Sequence, residues 1–89
     1  SGAVADSVGL RLLELSRLQQ VMVVTHLPQV ASRGNNHYKS FKFSTEKETF
    51  TGIEKLDKEK RIKEIAKMIS GEIVTEEALK VANQLIHEK

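Results

Sequence analysis

The chain has 89 residues, 39 % apolar and 29 % charged, with a formal net charge of +2 and no cysteine. That balance suits one small globular domain rather than a disordered or membrane-spanning chain, and the missing thiols exclude disulfides, thiolate nucleophiles and zinc-thiolate sites. So weak a positive charge makes no electrostatic case for nucleic-acid binding, while the lack of a long apolar run or a secretory signal pattern leads us to expect a cytoplasmic protein that does not enter a membrane.

Val4, Val8, Leu12 and Leu15 recur at helical spacing and predict an amphipathic helix over about 3–18, which Gly9 weakens without breaking. The run Val21-Met22-Val23-Val24 follows, apolar throughout and rich in β-branched residues. It reads as a strand buried on both faces, the mark of a parallel or mixed sheet in an α/β protein. A helix followed by a buried strand has the form of the second half of a strand-helix-strand unit, whose first strand is expected upstream. His26 then stands at the strand's end, where open α/β sheets bind their ligands. The same position also suits a histidine that bonds a neighbouring carbonyl or faces water, and Thr25 suits either a hydroxyl beside the ligand or an ordinary β-branched strand residue.

Pro28 opens a short helical turn through Ala31, since proline is tolerated at the first helical position, and the residues from Ser32 to Asn36 read as a loop. Alternation over Tyr38 to Thr45 and a second run over Thr49 to Leu56 predict a β-hairpin. With its turn centred on Lys47, Phe41 should face Ile53 and Phe43 should face Thr51, with the phenylalanines in the core. Asp57 is placed to cap a helix whose apolar stripe is Ile62, Ile65, Ala66 and Ile69 and whose stop is Gly71. The other face, Lys58, Glu59, Lys60, Arg61, Lys63, Glu64 and Lys67, reads as solvated and internally paired at Glu59/Lys63 and Lys60/Glu64. Thr75 is placed to cap a last helix that buries Ala78, Leu79, Ala82, Leu85 and Ile86.

The three histidines His26, His37 and His87 are too scattered for a local metal motif, and the isolated glycines form no G-x-x-x-x-G-K-[ST] phosphate loop. An alternative reading is a small basic nucleic-acid-binding or protein-interaction module. In it Tyr38, Phe41 and Phe43 would stack on bases and Lys39, Lys42 and Lys55 would meet phosphates, or the last two helices would dock on a partner.

Taken in order, SGAVA at the start, QVMVVTHLPQVAS at 20–32, HYKSFK at 37–42, LDKEKRIKEIAKMISG at 56–71 and the closing TEEALKVANQLI resemble the C-terminal end of the RecN family of bacterial DNA repair proteins. These are SMC-like, ABC-type ATPases with a head built from both chain ends. The resemblance spans nearly the whole sequence and is most specific at VTHLPQVA. It implies an α/β fold, with residues 1–89 the incomplete C-terminal portion of such a head: one helix, a buried strand, a hairpin and two final helices. It also implies a role in double-strand-break repair and recombination, and a nucleoid-associated location. His26 would be the switch histidine at the ATP γ-phosphate, and Ser1 and Gly2 the end of the D-loop, which crosses between two heads beside the nucleotide. The expected partners are the N-terminal part of the same head, a second head across an ATP-dependent interface, and DNA for the intact protein. ATP and Mg²⁺ belong to the complete head. The fragment alone, without Walker A, signature and Walker B motifs, is expected to bind neither and hydrolyse nothing, and its unpartnered strand is expected to promote self-association.

Overall fold

The computed structural model describes residues 2–88, so Ser1 lies outside the described residues. The elements run α1 (Gly2–Ser16), α2 (Pro28–Ala31), β1 (Tyr38–Ser44), β2 (Thr49–Lys55), α3 (Lys58–Ser70) and α4 (Glu76–His87).

The tightest part is the α3–α4 pair. Asp57 accepts from the Lys60 amide at 2.8 Å and Thr75 from the Ala78 amide at 3.0 Å, so both helices start on the cap their sequence supplies. α3 stops at Gly71, whose φ of 85° lies where side chains are disfavoured. Between the two helices Ile65, Ala66, Ala78 and Ala82 are fully or almost fully buried, with Ile62, Val74, Leu79, Leu85 and Ile86 around them. Three alanines in that set let the backbones approach closely, so the core is small and Ile65 is its largest fully buried apolar side chain.

β1 and β2 form an antiparallel two-stranded sheet, the sole sheet among the described residues. Its register differs by one residue from the expected one: Phe41 faces Gly52 and Phe43 faces Phe50. The turn is Glu46-Lys47, closed by Thr45 N–H to Glu48 O at 2.8 Å, and a two-residue turn in place of three shifts every cross-strand pair. Phe41, Phe43 and Phe50 therefore gather on one face, with centroid separations of 6.0 and 5.2 Å. Contrary to expectation they are no part of the core; each remains substantially exposed, because the hairpin extends past the helices. A side chain at Gly52 would collide with the Phe41 ring, so glycine is what lets that ring lie across β2. The hairpin base is fastened by Leu56 N–H to His37 O at 2.9 Å and by the Lys39–Glu64 and Lys60–Glu54 ion pairs at 2.8 and 2.6 Å. Lys60 and Glu64 thus reach across to the hairpin instead of pairing along α3.

The expected buried strand is not formed. Residues 20–27 belong to no helix or sheet, with Met22 89 % and Val24 98 % exposed. A strand buried on both faces needs neighbours on both edges, and none of the described residues supplies one. The α/β description accordingly holds only as a mixture of helices and an antiparallel hairpin. The stripe anticipated on α1 is likewise turned outward: Val4, Val8 and Leu15 are exposed, while Ala5 and Gly9 face α2 and are buried.

Candidate functional site

The segment from Thr25 to Gly34 carries the histidine of interest, and local chemistry shapes it residue by residue. The Thr25 hydroxyl accepts from the Leu27 amide at 3.0 Å, closing a turn around His26. Thr25 thus lines no strand among the described residues; it bends the backbone on which the imidazole is mounted. Leu27 is extended (φ −96°, ψ 121°), as suits the residue before a proline, and Pro28 begins α2 as expected.

α2 returns along α1. The end of α1 is marked by Gln19 N–H to Leu15 O at 3.2 Å, yet Gln29, ten residues later, lies against the other half of that helix. A Cβ at Gly9 would stand 2.7 Å from the Gln29 carbonyl oxygen, and one at Gly2 would stand 3.5 Å from its side-chain Nε2. α2 therefore packs on α1 with the Gln29 backbone at Gly9 and its side chain within reach of Gly2. Gly9 is the residue that permits this approach, a role its helix-weakening character concealed.

The far end of α2 is held from α3. Arg61 was expected on the solvated face but is 9 % exposed, and its Nη2 donates to the carbonyls of Ala31 (3.1 Å), Ser32 (3.1 Å) and Gly34 (2.6 Å). It occupies the border of the apolar stripe, four residues before Ile65, where an arginine stem can lie on the core and its head reach a helix end. That adjacency is the only signal the sequence offered. Ser32 is fully buried beside it, and Arg33 Nη1 donates to the Glu88 carbonyl at 3.1 Å, tying the same loop to the end of α4. His37 shares the surroundings of Arg61. Burial, followed by the nearby guanidinium and opposed only by the Glu64 carboxylate, holds its pKa below the ordinary 6.5.

His26 itself is exposed. A cavity of about 260 Å³ is lined by Asn35, Asn36, His37, Lys55, Leu56, Lys58, Arg61 and Ile86, and a second by residues of β1, β2 and α3; His26 lines neither. Of the residues assigned to a nucleotide site, Ser1 lies outside the described residues, and Gly2 opens α1 within van der Waals reach of where a side chain would touch Gln29. The arrangement delivers an imidazole, able to donate at one nitrogen and accept at the other, on a local turn whose downstream side is held through α2 by Arg61.

The hairpin offers less. Strand alternation puts Phe41, Phe43 and Phe50 on one face and Tyr38, Lys42 and Lys55 on the other, while Lys39 is engaged by Glu64. The three phenylalanine rings and the cations Lys42 and Lys55 thus fall on opposite sides, with Tyr38 the one ring beside those lysines, so a single nucleic-acid strand cannot meet the phenylalanines and these cations together.

No protein-family model matches the chain. Similar proteins are found, however. The chain is 47 % identical over 87 residues to the DNA repair protein RecN of Rickettsia conorii, which covers 98 % of this chain and 16 % of that protein. It is 48 % identical over 86 residues to the protein of that name from Rickettsia felis (97 % and 16 %) and 42 % identical over 87 residues to that from Xylella fastidiosa (98 % and 16 %). The chain thus spans about 16 % of the length of the curated relatives it matches.

Proposed function

This chain belongs to the RecN family, homologous to it along nearly its whole length, and from that membership we propose that it forms the C-terminal part of an ABC-type ATPase head in a DNA repair protein. In this reading His26 is the switch histidine that contacts the γ-phosphate, and Ser1 and Gly2 are the end of the D-loop. ATP supplies the phosphoryl group, with Mg²⁺; this chain has no phosphate loop to cradle either. The rest of the head is the partner that provides those parts, and a second head and DNA are partners of the whole protein.

One observation carries the proposal: His26 sits in the Thr25–Leu27 turn, directly before Pro28 and an α2 whose far end is bonded by Arg61, while the ring itself is exposed at the surface. Side chains that merely decorate a loop need no such support. Phosphoryl transfer is accelerated mainly by positioning and charge stabilisation, so one well-fixed donor and acceptor beside the transferring group has large leverage. A neutral imidazole orients the attacking water through one nitrogen and meets a phosphate oxygen through the other. The unpaired segment Val21–Val24 supports the same reading, since an apolar strand with both edges empty fits between strands of a larger sheet.

The test uses the full-length protein. His26→Ala should lower ATP turnover by about 10²–10⁴-fold, the usual scale of a positioned acid–base group, while ATP binding is retained. Undiminished turnover in His26→Ala would remove the proposal, and so would ATP hydrolysis by the 89-residue chain alone.

A further inference from the structure

We propose that Arg61 is a positioning residue for His26, acting through α2 across the boundary between the two halves of this chain. The inference rests on the switch-histidine reading above and extends it to a residue that touches no nucleotide.

The geometry is specific. α2 is four residues long, too short to hold itself together by its own backbone bonds. Its C-terminal carbonyls and those of the loop beyond point at one place, where the Arg61 Nη2 accepts the task for Ala31, Ser32 and Gly34 together. A cation at a helix C-terminus also opposes the negative end of the peptide dipoles. Arg61 is buried and sits one turn from Ile65, at the centre of the α3–α4 core, so the anchor is attached to the most rigid part of the chain. At the other end of α2 the chain passes through Pro28 and Leu27 directly to His26. Releasing Arg61 lets α2 tilt or fray, and the His26 turn is the next thing to move. Lysine at this position keeps the charge, but its side chain is one bond shorter and ends in a more strongly hydrated ammonium, so it does not set a donor where the Arg61 Nη2 stands.

The experiment is a double-mutant cycle in the full-length protein, with ATP turnover and KM for ATP measured for His26→Ala, Arg61→Met, Arg61→Lys and each pair. Arg61→Met is expected to lower kcat about tenfold to a hundredfold, the scale on which small misplacements of catalytic groups are felt, with KM nearly unchanged and Arg61→Lys intermediate. In the His26→Ala background neither Arg61 change should lower kcat further, because the group being positioned is already gone. Equal losses with and without His26 would overturn the inference and leave the switch-histidine reading intact; a general folding defect in Arg61→Met gives that same result, and Arg61→Lys repeats the comparison with less disturbance. Normal turnover in His26→Ala alone removes the reading, and the inference with it.

Discussion

Replacing Gly9 by alanine sets two physical effects against each other, and the structure decides the sign. In an exposed helix interior the change should stabilise by about 0.8–1.0 kcal/mol, because alanine gives up less backbone freedom than glycine. Here the added methyl would lie 2.7 Å from the Gln29 carbonyl oxygen and 3.1 Å from the Arg33 Cγ. The first neighbour is backbone of α2, pinned by Pro28 on one side and Arg61 on the other, so it cannot simply rotate away. Relieving the contact means moving α1 off α2, and overpacking of this kind costs about 1–3 kcal/mol. The net expectation is a loss of about 1 kcal/mol, or roughly 4–8 °C in Tm for a domain of this size. Thermal and denaturant unfolding of Gly9→Ala against the parent measure it directly. A variant more stable than the parent would refute the close α1–α2 packing.

Gly71→Ala should also destabilise, by about 1–3 kcal/mol as for strained backbone elsewhere, through its φ of 85° alone, because a Cβ there meets nothing within 4 Å; a neutral effect in equilibrium unfolding would show that the α3 stop relaxes freely. His37 predicts a pH dependence. Its folded pKa lies below 6.5 through burial and the Arg61 charge, so the unfolded chain takes up the proton first as pH falls through 6.5. Stability should therefore be full above that pH, decline below it, and level off beneath the folded pKa; His37→Gln should flatten this part of the profile, and an unchanged profile would count against the burial of the ring. Finally, Met22 and Val24 are exposed on a segment without sheet partners, so the chain should self-associate with rising concentration and Val24→Lys should suppress it. Sedimentation showing a monomer throughout for the parent would contradict that expectation.

What could be seen in the sequence was local, and what escaped was set by contacts between distant residues. The caps at Asp57 and Thr75, the stop at Gly71, the proline start of α2 and the buried stripe of α4 all depend on side chains within a turn of the backbone they serve, and each was legible. Hairpin existence was legible by alternation, but its register hung on whether the turn held two residues or three, which the polar run Thr45 to Glu48 leaves open. Gly9 and Arg61 were misread for a common reason. A glycine in a helix looks like weakness and an arginine on a charged face looks like solubility until a partner element is in place. The assignment of His26 came from position and resemblance; its mounting, which gives the assignment a physical basis, was visible only once Thr25, Gln29 and Arg61 had been set around it.

The segment Val21–Val24 follows from the same reasoning. Its composition specifies burial on two faces, yet within this chain it is among the most exposed apolar stretches. Sequence pattern and local environment normally agree in a self-sufficient fold. Here they disagree at Val21–Val24 and at the outward residues Val8 and Leu15 of α1, while the α3–α4 core is fully consistent. Such a mismatch is what an interface without its partner would leave, and it is why the proposed remainder of the head is expected to pair residues 21–24 and place His26 at the end of a formed strand.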